Sequence, residues 1–307
     1  MLNVLFGTAT LASTLRLSTP LILGTVGGCY CDRGGVFNIA LESFMLTAAF
    51  FAAYGTYLTA NPYIGVLCGI LAGLVCGGIF GLFVFHLGSS GIVVSIALNL
   101  GAWGFTTLMM LSVFKTRGSF MDPRLVSLPT FDIPGLNQIP YLREIFNNQN
   151  ILVYVALLSI VVMWIIMYKT AFGLRLRGVG MNPKAAQTAG TNILKYQWIS
   201  LLITGAFCGL AGAVLPLGGT SIFSENMTAG RGFLVVAAIL VGRGNPLMSA
   251  LSCLLFAYTD ALSLGLQNIG IPSQIVLTLP YVATILVLMI IGFKNLMAKK
   301  KLPAIHS

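Results

Sequence analysis

The chain reads as a succession of apolar runs separated by short stretches where Gly, Pro, Asn or charge gather. The runs lie at 9–29, 36–58, 62–86, 91–114, 150–168, 197–218, 225–243, 246–267 and 273–293. A helix rising 1.5 Å per residue needs ~20 apolar residues to cross ~30 Å of hydrocarbon, so runs of this length can span a bilayer. They are continuous rather than alternating, which excludes a barrel of ~10-residue two-sided strands. The pattern predicts an all-α, polytopic transmembrane helix bundle of about nine spans (8–10), one transmembrane domain over residues 1–307.

Composition narrows this further. Of 307 residues, 57% are hydrophobic and only 8% charged, with a mean hydropathy of +0.93, too little polar material to cover a soluble globule. The net charge of +10 falls in the connections, where it orients a membrane protein instead of marking a nucleic-acid binder. Residues 169–195 carry Lys169, Arg175, Arg177, Lys184 and Lys195 without an acid, and the tail 294–307 opens with Lys294, Lys299, Lys300 and Lys301. Both are expected in the cytoplasm, and the four spans between them satisfy that parity. The connection 115–149, whose charges nearly balance, is then extracytoplasmic. Its four prolines and the polar run Asn147–Asn150 suit either a docking cap or a plain solvated loop. The six cysteines are expected to be small buried residues.

Several features carry a mechanism. Gly69, Gly73, Gly77 and Gly81 recur every four residues, and Gly205, Gly209 and Ala213 repeat the device, so each half holds a helix built for close approach. Arg33-Gly-Gly-Val-Phe37 and Gly230-Arg-Gly-Phe233 punctuate two spans in matching fashion, on opposite faces by the predicted topology. Glycine-interrupted segments in corresponding positions suggest inverted repeats with a midplane site. Polar groups inside spans need a partner or a cavity, which makes Asn38, Glu42, Asn99 and Asp260, with Phe233 of the second motif, the candidates for a translocation pathway. The plainer alternative is that these groups tie helices together, with Arg33 compensating Glu42, and with Tyr258 and Thr259 satisfying Asp260.

The basic loop contains a second candidate element. Asn182 can cap a helix with Pro183 at its first position, Lys184, Ala185, Ala186, Gln187, Thr188 and Ala189 make its body, and Gly190 stops it. Such a stub of ~1–2 turns, small and weakly polar, suits docking to a partner. No phosphate-binding Gly-x-x-x-x-Gly-Lys-Ser/Thr loop occurs, and with only His86 and His306 there is no metal or hydrolase pattern, so neither an ATPase nor another enzyme is expected in this chain.

Taken together, Arg33-Gly-Gly-Val-Phe-Asn-Ile-Ala-Leu-Glu42 with Met45–Phe50, the loop Phe172–Gly180 through Asn182–Ala186 to Gly190, Thr204–Ala213, and Gly232-Phe233 through Val241–Pro246 resemble blocks of ABC importer permeases of the ribose and branched-chain amino-acid class, nearest the nucleoside and simple-sugar branch. One departure is Ser43, where relatives usually carry Gly. The resemblance implies a type II-like permease fold in a bacterial cytoplasmic membrane. It also implies a second permease subunit, homologous or identical, a cytoplasmic ATPase holding ATP and Mg that couples through 182–190, and an extracytoplasmic solute-binding protein. No cofactor is expected on this chain. The implied solute is nucleoside-like, a purine nucleoside first, with riboflavin or a simple sugar as further options. An ion-coupled secondary transporter is the alternative, and a membrane scaffold a third.

Overall fold

A computed structural model describes residues 7–132 and 140–267 and the isolated positions 282 and 289. Its helices are α1 (Thr8–Arg33), α2 (Leu41–Thr59), α3 (Pro62–Gly81), α4 (Gly91–Met109), α5 (Pro140–Phe146), α6 (Ile151–Lys169), α7 (Ala171–Met181), α8 (Pro183–Thr188), α9 (Ile193–Leu217), α10 (Arg231–Val241) and α11 (Pro246–Gln267). A single π turn extends α3 over Leu82–His86 and α4 over Met110–Phe114.

Which helices look most apolar follows from what surrounds them. The stretches Pro62–His86, Gly91–Phe114, Ile151–Lys169, Ile193–Leu217 and Pro246–Gly265 are long and apolar enough to cross a membrane. Leu67, Leu71 and Val75 of α3, Ile96, Leu100 and Trp103 of α4, and Leu158, Val161 and Ile165 of α6 point outward, as lipid solvation allows. In contrast, α1 and α2 sit in the centre, with Leu23, Tyr30, Phe44 and Met45 fully buried. Protein surrounds them, so they tolerate hydroxyls that find partners locally: Ser18 and Thr19 donate to Leu15 O at 3.0 and 2.8 Å.

The two glycine ridges meet each other. A Cβ added at Gly73 would strike Gly205 O and the Gly209 backbone, and one added at Gly209 would strike Ile70 and Gly69. Gly73 of α3 thus lies backbone to backbone on Gly205 and Gly209 of α9, which only a hydrogen side chain permits. The predicted cysteine burial holds for five of the six, whereas Cys68 is half-buried, and all are free thiols.

Helix direction sorts the bundle into two ends. Arg33, His86, Lys169, Lys195 and Arg243 lie at the basic end, where α7 and α8 also sit. At the far end the long connection packs down. Its strand β1 (Ser119–Met121) pairs antiparallel with β4 (Ile222–Ser224), and β2 (Thr130–Phe131) with β3 (Gln149–Asn150). Phe120 stacks on Phe114 at 3.9 Å, Leu125 and Leu128 are buried, and Leu128 N donates to Leu217 O at 2.8 Å. Arg16 Nε reaches Gln149 Oε1 at 3.0 Å, and Asn150 caps α6 by accepting from Val153 N at 3.2 Å. These contacts make a packed layer, not a plain solvated loop.

Two predicted spans are corrected. The run 36–58 is helical only from Leu41, and residues 36–40 are irregular backbone. The run 225–243 contains a helix of just 11 residues, α10, about 16 Å long and far short of ~30 Å. Positive φ at Asn226 (52°), Ala229 (45°) and Gly230 (81°) breaks the backbone before it. The last predicted span, 273–293, and the tail 294–307 lie outside the described residues.

Candidate functional site

Both irregular segments put backbone donors and acceptors inside the bundle, where each must find a protein partner. The first, residues 36–40, is held by α4. Ser95 Oγ accepts from Ile39 N at 3.1 Å, Asn99 Nδ2 donates to Ile39 O at 3.2 Å, and Asn99 Oδ1 accepts from Ser43 N at 3.0 Å. Asn38 Oδ1 accepts from Ala40 N at 2.7 Å, which turns the chain into α2. Its Nδ2 is buried without a partner.

The second irregular segment is held by α2. The buried Glu42 carboxylate accepts from the Thr228 hydroxyl, from Gly230 N at 2.9 Å and from Gly232 N, gathering the free donors at the start of α10. A carboxylate at this position satisfies groups that a short intramembrane helix leaves open, and it complements the positive end of the helix dipole. Gly232 is required by contact: a Cβ there would overlap the Glu42 backbone and carboxylate. The two glycine-aromatic motifs, expected on opposite faces, are therefore joined, because Glu42 follows the first and binds the second.

The remaining pathway candidates adjoin this joint, Phe233 beside Gly232 and Asp260 beside Arg231, without bonding to Glu42. Phe233 is half-exposed on α10. Asp260 is half-buried on α11 and feels the Arg231 guanidinium, whereas Thr259 donates to Phe256 O at 2.7 Å. The expected compensation of Glu42 by Arg33 does not occur. Arg33 donates instead to Gly244 O at 3.1 Å and to Arg243 O, closing the basic end of α10 onto α1. Sequence reasoning missed Ser95 and Thr228. Ser95 was findable, since it lies one helical turn before Asn99, while nothing local marked Thr228.

The loop stub has the geometry its residues require. Asn182 Oδ1 accepts from Ala185 N at 3.1 Å with Pro183 at the first helical position. Thr188 Oγ1 donates to Lys184 O at 3.0 Å, and Gly190 takes φ +76° to end the turn. Lys184, Ala185, Gln187, Thr188 and Ala189 are exposed and Ala186 is half-exposed. Neighbouring Met181 is 84% exposed. The face is small, weakly polar and uncovered among the described residues. Close by, the Tyr196 hydroxyl accepts from exposed Arg175 at 3.4 Å and raises that guanidinium above its ordinary value.

A family described as the branched-chain amino acid transport system / permease component matches residues 10–293. The nucleoside ABC transporter permease protein NupC of Lactococcus lactis subsp. cremoris is 35% identical over 288 residues, covering 90% of each chain. The guanosine ABC transporter permease protein NupQ of Bacillus subtilis is 32% identical, covering 90% of this chain and 89% of that one. In fold, the chain is similar to a solved ABC transporter described as metal-chelate type in an inward-facing conformation, with a TM-score of 0.52 at 14% identity over 92% of this chain and 85% of that one. None of these findings supports an ion-coupled carrier. The chain belongs to the branched-chain amino acid transport system permease family, as a multi-pass permease subunit of an ABC importer in the cytoplasmic membrane.

Proposed function

We propose that this permease carries a nucleoside, with purine nucleosides first among candidates, and that it is driven by a separate ATPase docking on α8. The observation that carries the reading is the exposed, capped stub Asn182–Gly190 at the basic end of a chain that shares 35% identity with a nucleoside permease over nearly its full length. The basic end faces the cytoplasm and the packed cap faces outward, as the distribution of Lys and Arg favours. ATP and Mg bind the partner ATPase, a second permease subunit completes the pathway, and an extracytoplasmic protein delivers the solute. ATP-driven movement of the ATPases pushes α8 and rocks the bundle between outward-open and inward-open states. Asn38, with a buried amide donor unspent, is the residue best suited to meet a passing solute.

Ala186→Arg tests the docking. The complex should keep its assembly in the membrane and lose solute-stimulated ATP hydrolysis, and normal stimulation would remove α8 from the mechanism. Uptake of labelled guanosine into cells carrying the complex tests the solute. Competition by other purine nucleosides but not by ribose, glucose or riboflavin is expected, and the reverse pattern would overturn the assignment.

A further inference from the structure

The corner where α6 turns into α7 carries two cations that the transport cycle described above leaves unused. The Lys169 ammonium lies 6.0 Å from the Trp164 ring centroid. Trp164 and Tyr168 follow, their centroids 5.8 Å apart, and the Arg177 guanidinium sits 4.7 Å from the Tyr168 centroid. Arg177 Nε donates to Gly173 O at 3.3 Å, which anchors its stem. The four side chains form one row: cation, indole, phenol, cation. Among the described residues no carboxylate stands among the contacts of either cation, and residues 169–195 contain no Asp or Glu.

The row also stands at a boundary. Towards the middle of α6, Leu158, Val161, Val162 and Ile165 are exposed, and beside the row Leu174 of α7 is exposed as well. Such an apolar face is solvated by acyl chains. Trp and Tyr settle where hydrocarbon gives way to headgroups, and Lys and Arg just beyond them meet phosphate. An acidic partner protein would meet the charges but not the acyl-facing surface that continues from them.

We propose that Lys169, Trp164, Tyr168 and Arg177 form a binding site for the phosphate of an anionic phospholipid, whose acyl chains lie along the exposed face of α6. The two cations take the phosphate oxygens, and the aromatic rings hold the cations at headgroup depth, stacked on their faces. The inference is independent of which solute is carried and of how α8 is used.

Native mass spectrometry of the full chain, extracted from bilayers of mixed phosphatidylglycerol and phosphatidylcholine, reads retained lipid directly. Lys169→Gln with Arg177→Gln should weaken phosphatidylglycerol retention by roughly 25-fold, about fivefold per cation. Lys115→Gln with Arg117→Gln removes the same charge at the opposite end of the bundle and should change retention less than twofold. Equal losses in both pairs, or none in either, would overturn the site. A second measurement avoids extraction altogether. With Trp103→Phe and Trp198→Phe, Trp164 is the remaining tryptophan, and brominated phosphatidylglycerol should quench it more strongly than brominated phosphatidylcholine at equal mole fraction. Equal quenching by the two lipids contradicts the proposal, as does a preference that survives Lys169→Gln with Arg177→Gln.

Discussion

Glu42 accepts from three donors on a segment about 190 positions downstream, so its two oxygens must both be acceptors. Glu42→Gln keeps the shape but turns one oxygen into a donor facing an N–H. We expect a loss of about 2–3 kcal/mol, comparable to breaking charge-assisted bonds at a buried group, read as a lower unfolding midpoint in detergent together with weaker uptake. Thr228→Val removes only one hydroxyl donor and should cost less, about 1–2 kcal/mol, by the same measurement. A Gln variant as stable as the parent would mean that the carboxylate is not what holds α10. The identity of Glu42 as a residue needing a partner was legible in the sequence, since ionisable groups inside apolar runs are expensive. Its partner was not, because the groups it satisfies are two backbone N–H donors and one hydroxyl, brought together only once the chain breaks helix at 226–230.

At the level of elements, the contact of α3 with α9 is set by absence of side chains. Gly73→Val should push the helices apart and cost about 1–3 kcal/mol or prevent assembly, whereas Gly78→Ala, with nothing within 4 Å of its added Cβ, should leave the thermal midpoint unchanged or raise it slightly. Two glycine ridges were readable as close-packing stripes, and their mutual pairing was a matter of topology. The stub α8 shows the opposite balance. Its cap, first-position proline and terminating glycine are all local, so sequence was enough to draw it from Asn182 to Gly190. Asn182→Ala should loosen this stub by about 1 kcal/mol, seen as faster amide exchange over Ala185 and Ala186 without a change in the midpoint of the bundle.

For the whole molecule, the sidedness proposed from the basic residues has a direct check. Met121, 75% exposed at the end of β1, and Met181, 84% exposed before α8, stand at opposite ends. In intact cells a membrane-impermeant maleimide should label Met121→Cys, and Met181→Cys only after permeabilisation. The inverse labelling would turn the bundle over and detach α8 from any cytoplasmic ATPase.

Sequence by itself determined that this chain lives in a bilayer, that it is helical, where most helices run, and how α8 is capped, because hydrophobic length and local hydrogen-bond chemistry act over a few turns. It also carried the blocks that place the chain in its permease family. The tertiary structure decided what those rules do not reach. Runs 36–58 and 225–243 are apolar enough to read as full spans, yet their first residues are irregular backbone, tolerated because Ser95, Asn99 and Glu42 supply hydrogen bonds that bilayer cannot. Likewise α1 and α2 lie at the centre although they are not the most apolar helices: their hydroxyls are satisfied by their own carbonyls, and their side chains pack on protein neighbours instead of lipid. Long-range partners are set by the packing of the whole bundle, and no local window contains them.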